Sequence, residues 1–129
     1  MQHEFPIRVY YEDTDMAGIV YHANYLKFIE RARSDWVRLK GVDQNKMKDE
    51  EGVVFAVRKV DADFLRPARF DDELVVETRA VTVTGARLVM EQIVKRENEL
   101  LFQAMVTIAC VGENGQPARL PANLRLMLH

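Results

Sequence analysis

The stretch Tyr11-Glu-Asp-Thr-Asp-Met-Ala-Gly-Ile-Val-Tyr-His-Ala-Asn-Tyr-Leu-Lys-Phe-Ile-Glu30 changes its physical character halfway along. Just ahead of it, Ile7, Val9 and Tyr11 alternate with Arg8, Tyr10 and Glu12, the period of a half-exposed strand. An acidic turn follows, holding Asp13, Asp15 and Gly18. From Asn24 the period becomes helical, with Tyr25, Phe28, Ile29, Ala32, Trp36 and Leu39 on one face and Lys27, Arg31, Arg38 and Lys40 around it. Asn24 suits the N-cap and Gly41 the stop. A carboxylate in such a turn lies near the N–H groups that a helix leaves unpaired at its start. That combination sets a base or nucleophile beside donors for a developing oxyanion.

Beyond the helix, the polar segment Gln44 to Gly52 reads as a loop. Four strand-like runs come next. Val57 to Leu65 alternates Val60, Ala62 and Phe64 with Lys59, Asp61 and Asp63. Glu73 to Thr84 is rich in β-branched residues and ends at Gly85, a hairpin signal. Arg87 to Arg96 leads through a Glu97-Asn-Glu99 turn into Leu100 to Val111, which is apolar on nearly both faces, as in a central strand. Short turns imply antiparallel neighbours. The expected class is α+β, with one helix packed across a five-stranded antiparallel sheet whose open edges invite a second copy.

With 129 residues, one domain over 1–129 is the economical reading, long enough to bury about 70% of its unfolded surface. The net charge of -2, from 18 basic and 20 acidic residues, points away from nucleic acid, which calls for a basic excess. No apolar run approaches the roughly 20 residues that span a bilayer, so no membrane insertion is expected. The segment Met1 to Pro6 lacks the basic and apolar parts of a signal peptide, and a cytoplasmic location is expected. The one cysteine, Cys110, sits in an apolar run and reads as a buried thiol.

The runs Val9-Tyr-Tyr-Glu-Asp-Thr-Asp15, Ala17-Gly-Ile-Val-Tyr-His22 and Asn24-Tyr25 resemble the hotdog-fold acyl-CoA thioesterases of the 4-hydroxybenzoyl-CoA thioesterase family. They are especially similar to the branch encoded with the Tol-Pal envelope system, as is the block Leu65-Arg-Pro-Ala-Arg-Phe-Asp-Asp-Glu-Leu74. The resemblance implies a hotdog fold, a five-stranded antiparallel sheet wrapped around one long central helix. It implies hydrolysis of an acyl-CoA to free acid and coenzyme A, with Asp15 as nucleophile or general base. The backbone N–H of His22 falls where the family has its oxyanion donor. Gly18 matches the motif glycine, and Tyr21 and Tyr25 stand in the same block on the substrate side. A homodimer or homotetramer with the site between subunits is implied, with an acyl carrier protein as a further partner to consider. Met16 departs from the small residue or proline of relatives, which bears on the shape of the acyl pocket.

Each candidate has a plainer reading. Asp15 by itself is a common turn-former whose side chain bonds its own backbone. Asp13 is expected to hold the turn by bonding backbone N–H groups. Asp13, Asp15 and Gly18 have the spacing of positions 1, 3 and 6 of a calcium loop, but Ala17 and Asn24 stand where ligands at positions 5 and 12 belong. His22 is a candidate proton carrier or thioester contact, but its backbone N–H is expected to matter more. His3 and His129 lie at the chain ends and form no zinc cluster with it, so no metal and no cofactor is expected. Glu30 reads as a solvated or helix-pairing carboxylate. Arg66, Arg69 and Arg87, beside turns, are candidates for the phosphates of coenzyme A. The competing function is a non-catalytic module that binds acyl-CoA or an acyl carrier protein.

Overall fold

The computed structural model of the chain describes residues 3–126. Its elements are β1 (His3–Arg8), a 3-10 turn (Tyr11–Asp13), α1 (Asn24–Leu39), α2 (Gln44–Glu51), β2 (Val54–Phe64), β3 (Glu73–Val83), β4 (Arg87–Arg96), β5 (Glu99–Val111), β6 (Pro117–Ala118) and α3 (Ala122–Arg125). The sheet runs in the order β1-β3-β4-β5-β2 and is antiparallel throughout, with the two-residue β6 on the end of β5. Hairpins β3–β4 and β4–β5 are the adjacent pairs that short turns predict. The β4–β5 turn is tight enough to put Glu97 at φ 56°, in the left-handed region.

Helix α1 buries Phe28, Ile29, Ala32, Trp36 and Val37. This face packs with inward residues of the sheet, Leu74, Val76, Met90, Phe102 and Val106 among them, in one hydrophobic core. Each large side chain buried there contributes on the order of 1.5–3 kcal/mol. One extra residue interrupts the ladder near Arg58 in β2, Val81 in β3 and Leu101 in β5. Such bulges increase local twist and bend the strand, which helps a sheet curve around a helix. The result is the hotdog arrangement that the family resemblance implies.

Several local expectations change. Residues 44–51 form a helix rather than a loop. Asp43 caps it by accepting from the N–H groups of Asn45 and Lys46 (3.0 and 3.1 Å), Gly52 ends it at φ 65°, and Met47 anchors it in the core. A two-turn helix with one buried residue carries almost no hydrophobic period, so its sequence looks like a loop. Tyr11 leaves the strand for the 3-10 turn and is exposed, because β1 ends at Arg8. Ala23, not Asn24, occupies the N-cap of α1. Leu39 is exposed, off the packed face. The short β6 has no counterpart in the expected five strands.

Cys110 is fully buried and its thiol is pushed up to about 11, chiefly by desolvation, with Glu51 adding to it. His3 bonds Asp35 at 2.7 Å, tying β1 to α1, whereas His129 lies outside the described residues. No cluster of three or more His, Cys, Asp or Glu fit to hold a metal occurs among the described residues. None of the described helices is long and apolar enough to cross a membrane.

A buried polar cluster under the helix centres on Gln92. Gln92 of β4 donates to the carbonyl of Ile29 (2.8 Å) and to Thr78 Oγ1 (3.0 Å), and its Oε1 accepts from Arg33 Nη1 (3.0 Å). Burial lowers the Arg33 guanidinium from its usual range, and Glu30 opposes this. Gln92→Leu keeps the bulk but leaves the Thr78 hydroxyl and the guanidinium short of a partner. It is expected to cost about 1–3 kcal/mol in equilibrium urea unfolding. A change below about 0.5 kcal/mol, the size of a surface substitution, would mean that the cluster does not hold α1 to the sheet.

Candidate active site

The turn that carries Asp15 closes on itself. Asp15 N–H donates to the carbonyl of Ile19 (2.9 Å), Gly18 N–H donates to the carbonyl of Asp15 (3.0 Å), and Ala17 N–H donates to Asp15 Oδ1 (2.9 Å). Gly18 stands at φ 80°, where only a residue without Cβ sits easily. The plain turn-forming role is therefore real for Oδ1. Oδ2 has no protein partner among the described residues, and the side chain is exposed. Both functions fit one carboxylate.

This turn is tied to its surroundings at three points. Thr14 and Val20 form a bridge across it, Ile19 bridges to Arg69, and Val20 N–H donates to the carbonyl of Ala68 (2.8 Å). The two blocks that resemble the thioesterases thus lie side by side. Asp13, only 5% exposed, accepts from Tyr10 N–H at Oδ2 (2.8 Å) and from Asn24 Nδ2 at Oδ1 (3.0 Å). Its backbone carbonyl accepts from Tyr21 N–H (2.9 Å). Asp13 does hold the turn, by one backbone N–H and one side chain rather than by backbone alone.

At the start of α1, the N–H groups of Asn24, Tyr25 and Leu26 are bonded to the carbonyls of Tyr21, His22 and Ala23. Those of His22 and Ala23 have no acceptor among the described residues. Two adjacent donors at the positive end of a 16-residue helix suit an anion. The His22 ring lies between Tyr21 (centroids 4.7 Å) and the edge of Phe64 (6.1 Å).

Asp15, Gly18, Tyr21 and His22 are all exposed, on the turn and the short segment that leads from it into α1. Tyr25, expected on the substrate side and in the apolar stripe of the helix, is buried in this chain. It is 3% exposed, stacks on Phe102 (4.9 Å, 7°), and its hydroxyl accepts from Ala68 N–H (3.2 Å). Burial raises its phenol above the usual range, with the Ala68 bond opposing. It supports the site from below. Phe64, Phe102 and the second donor at Ala23 escape sequence reasoning. Phe64 is half-exposed at the end of β2, and only its ring contacts mark it out.

Arg69 lies at the turn, its side chain exposed and without an ion pair among the described residues. Arg66 pairs with Glu99 (3.4 Å). Arg87 lies at the opposite end of β4 from Arg96, whose guanidinium bonds the Pro67 carbonyl beside the site. Nine residues of strand put it about 30 Å away within one chain. Glu30 is exposed and accepts from Ser34 Oγ one turn on, the helix-pairing role expected of it.

The positive φ at Gly18 yields a direct test. A Cβ there meets nothing within 4 Å, so any penalty is conformational rather than steric crowding. Gly18→Val is expected to destabilise the turn by about 1–2 kcal/mol and to lower activity before the melting temperature changes much. Unchanged steady-state rates would detach this turn from function.

Residues 17–103 match the thioesterase superfamily, a span that starts two residues after Asp15. The chain is 40% identical over 126 residues to the acyl-CoA thioesterase YbgC of Haemophilus influenzae, covering 97% of this chain and 93% of that one. It is 43% identical over 122 residues to the acyl-CoA thioester hydrolase YbgC of Escherichia coli, covering 93% and 90%. A crystal structure of a probable thioesterase from Bartonella henselae superposes with a TM-score of 0.90 at 42% identity, covering 94% of this chain and all of that one. Fold, motif blocks and these similarities agree that the chain belongs to the thioesterase superfamily and is a thioester hydrolase of hotdog fold.

Proposed function

We propose that the chain hydrolyses acyl-CoA thioesters to a free acid and coenzyme A, with Asp15 as the reacting carboxylate. What supports this most is that Asp15 Oδ2 and, seven and eight residues on at one helix start, the N–H groups of His22 and Ala23 all lack a protein partner among the described residues. The thioester carbonyl oxygen points at the N–H groups of His22 and Ala23. Asp15 then either takes a proton from water as that water attacks the carbonyl carbon, or attacks the carbon itself. In the first route the tetrahedral oxyanion collapses and expels the coenzyme A thiolate, which takes up a proton. In the second, the thiolate leaves a mixed anhydride that water hydrolyses. Fixed backbone dipoles stabilise the oxyanion in both. The names of the relatives from Haemophilus influenzae and Escherichia coli support the acyl-CoA class. Arg69 is the arginine best placed for the substrate's phosphates.

The working unit in this reading is a homodimer. β2 pairs only with β5, leaving its other edge open along Val54–Phe64 among the described residues, with Val57 and Phe64 about half-exposed. Two-fold antiparallel pairing of β2 with β2 satisfies this edge. It sets the Phe64 end of each chain beside the Val54 end of its partner, so a second copy walls the site.

Asp15→Asn preserves size and turn-forming capacity but removes the anion. Turnover of a panel of short, long and aromatic acyl-CoAs, read as free thiol, is expected to fall about 10²–10⁴-fold with the fold intact. Cys110, being buried, does not compete for the thiol reagent in the native protein. Near wild-type turnover would refute the role of Asp15, and binding without hydrolysis by the wild type would favour the non-catalytic module. Light scattering at micromolar concentration is expected to give a dimer or a multiple of one, and a fully active monomer would overturn the two-chain site.

A further inference from the structure

The two halves of the site belong to different elements. Asp15 sits on a surface turn, and the donors at His22 and Ala23 sit at the start of α1. Both must meet one thioester group, with the carboxylate at the carbon and the N–H groups at the oxygen. Of the six residues between Asp15 and His22, Met16, Ala17, Gly18 and Tyr21 are exposed and only Val20 is buried, so packing fixes this segment mainly at one point.

One buried contact crosses from turn to helix. Asn24, the first residue of α1 and 7% exposed, donates from Nδ2 to Asp13 Oδ1 at 3.0 Å. The same Asp13 carboxylate bonds Tyr10 N–H, and its carbonyl bonds Tyr21 N–H, one residue before the donor His22. Asp13 therefore links the end of the first strand segment, the turn two residues before Asp15, and the residue next to the donors. Asn24 does not cap the helix with its side chain. Its amide is spent on this bond instead.

We propose that the Asp13–Asn24 pair is a positioning clamp that sets the Asp15 carboxylate against the His22 and Ala23 donors, without itself touching substrate. This rests on the thioesterase reading above. Misplacing reacting groups by about 1 Å costs on the order of 10²-fold in rate. A carboxylate–amide bond under solvent-excluded conditions is stiff enough to prevent that.

The chemistry of the pair gives an asymmetric expectation. Asn24→Asp sets two carboxylates against each other and leaves no donor between them. Asp13→Asn is milder, because the Asn24 amide can turn over and present its oxygen. The double exchange Asp13→Asn/Asn24→Asp restores donor to acceptor with the same total charge, and Asn at 13 still accepts from Tyr10 N–H.

The test is steady-state kcat and KM for an acyl-CoA that the wild type hydrolyses, with circular dichroism and thermal unfolding on each protein. All rates are taken well below the lowest melting temperature. Asn24→Asp is expected to lose about 10²-fold in kcat with KM within about threefold, and the double exchange to regain kcat to within about tenfold of wild type. A purely structural pair would change melting temperature while kcat per folded molecule stayed level, and that result overturns the proposal. A double exchange no more active than Asn24→Asp overturns it too. Should Asn24→Asp fail to fold, Asn24→Ala, a good helix former, carries the same kcat and KM reading. A wild type with no acyl-CoA hydrolysis defeats the thioesterase reading and the clamp together, whereas an active wild type whose folded Asn24 variants keep their kcat defeats the clamp alone.

Discussion

A single helix of 16 residues, about 24 Å long, must bury one apolar face, and one sheet is available to receive it. Much of the architecture follows from that constraint. The helix connects β1 to β2, which end up on opposite edges of the sheet, while the hairpin-linked β3, β4 and β5 fill the middle. Bulges bend the strands toward the helix, and the Gln92 cluster gives the contact a polar pin as well as a greasy one. Because α1 is held along its length, its first turn is fixed in space. The unpaired N–H groups there become a rigid feature rather than a fraying end.

The site builds on that rigidity. Its carboxylate lies on an exposed turn with few packing contacts, so hydrogen bonds hold it in place. A strained glycine, an internal Asx bond at Asp15 and bridges to the Leu65–Leu74 block set its shape. A buried bond from Asn24 to Asp13 joins this turn to the first residue of the helix. Two aspartates that differ by two positions in sequence thus have opposite environments. Asp13 is buried and engaged at both oxygens, and Asp15 is exposed with one oxygen open. In the proposed mechanism this difference in burial separates the structural carboxylate from the reacting one.

The edges of the sheet carry the other consequence. β2 keeps a long unpaired edge with half-exposed apolar side chains, the kind of surface that soluble proteins cover or charge. In the proposed homodimer another copy covers this edge, and Phe64 and Tyr21, exposed in the single chain, lie where it would reach.

From the residues alone, the strand–turn–helix beginning, the four later strands, the Glu97-Asn-Glu99 turn and the buried Cys110 were legible. Each rests on local periodicity or turn chemistry, which a one-dimensional reading contains. The two motif blocks also pointed to Asp15, Gly18 and the His22 N–H. Tertiary structure decided the rest. The strand order could not be read, because the pairing of β1 with β3 and β2 with β5 spans a helix and several strands. α2 was missed because one buried Met47 leaves no period. Tyr25 read as part of the apolar stripe and as a substrate contact, and only the fold shows that its hydroxyl accepts from Ala68 N–H across 43 residues. Asn24 read as a cap, yet its amide finds a carboxylate eleven residues back. Local propensity is written in neighbouring residues, whereas which polar group meets which partner depends on how the chain returns to itself in space.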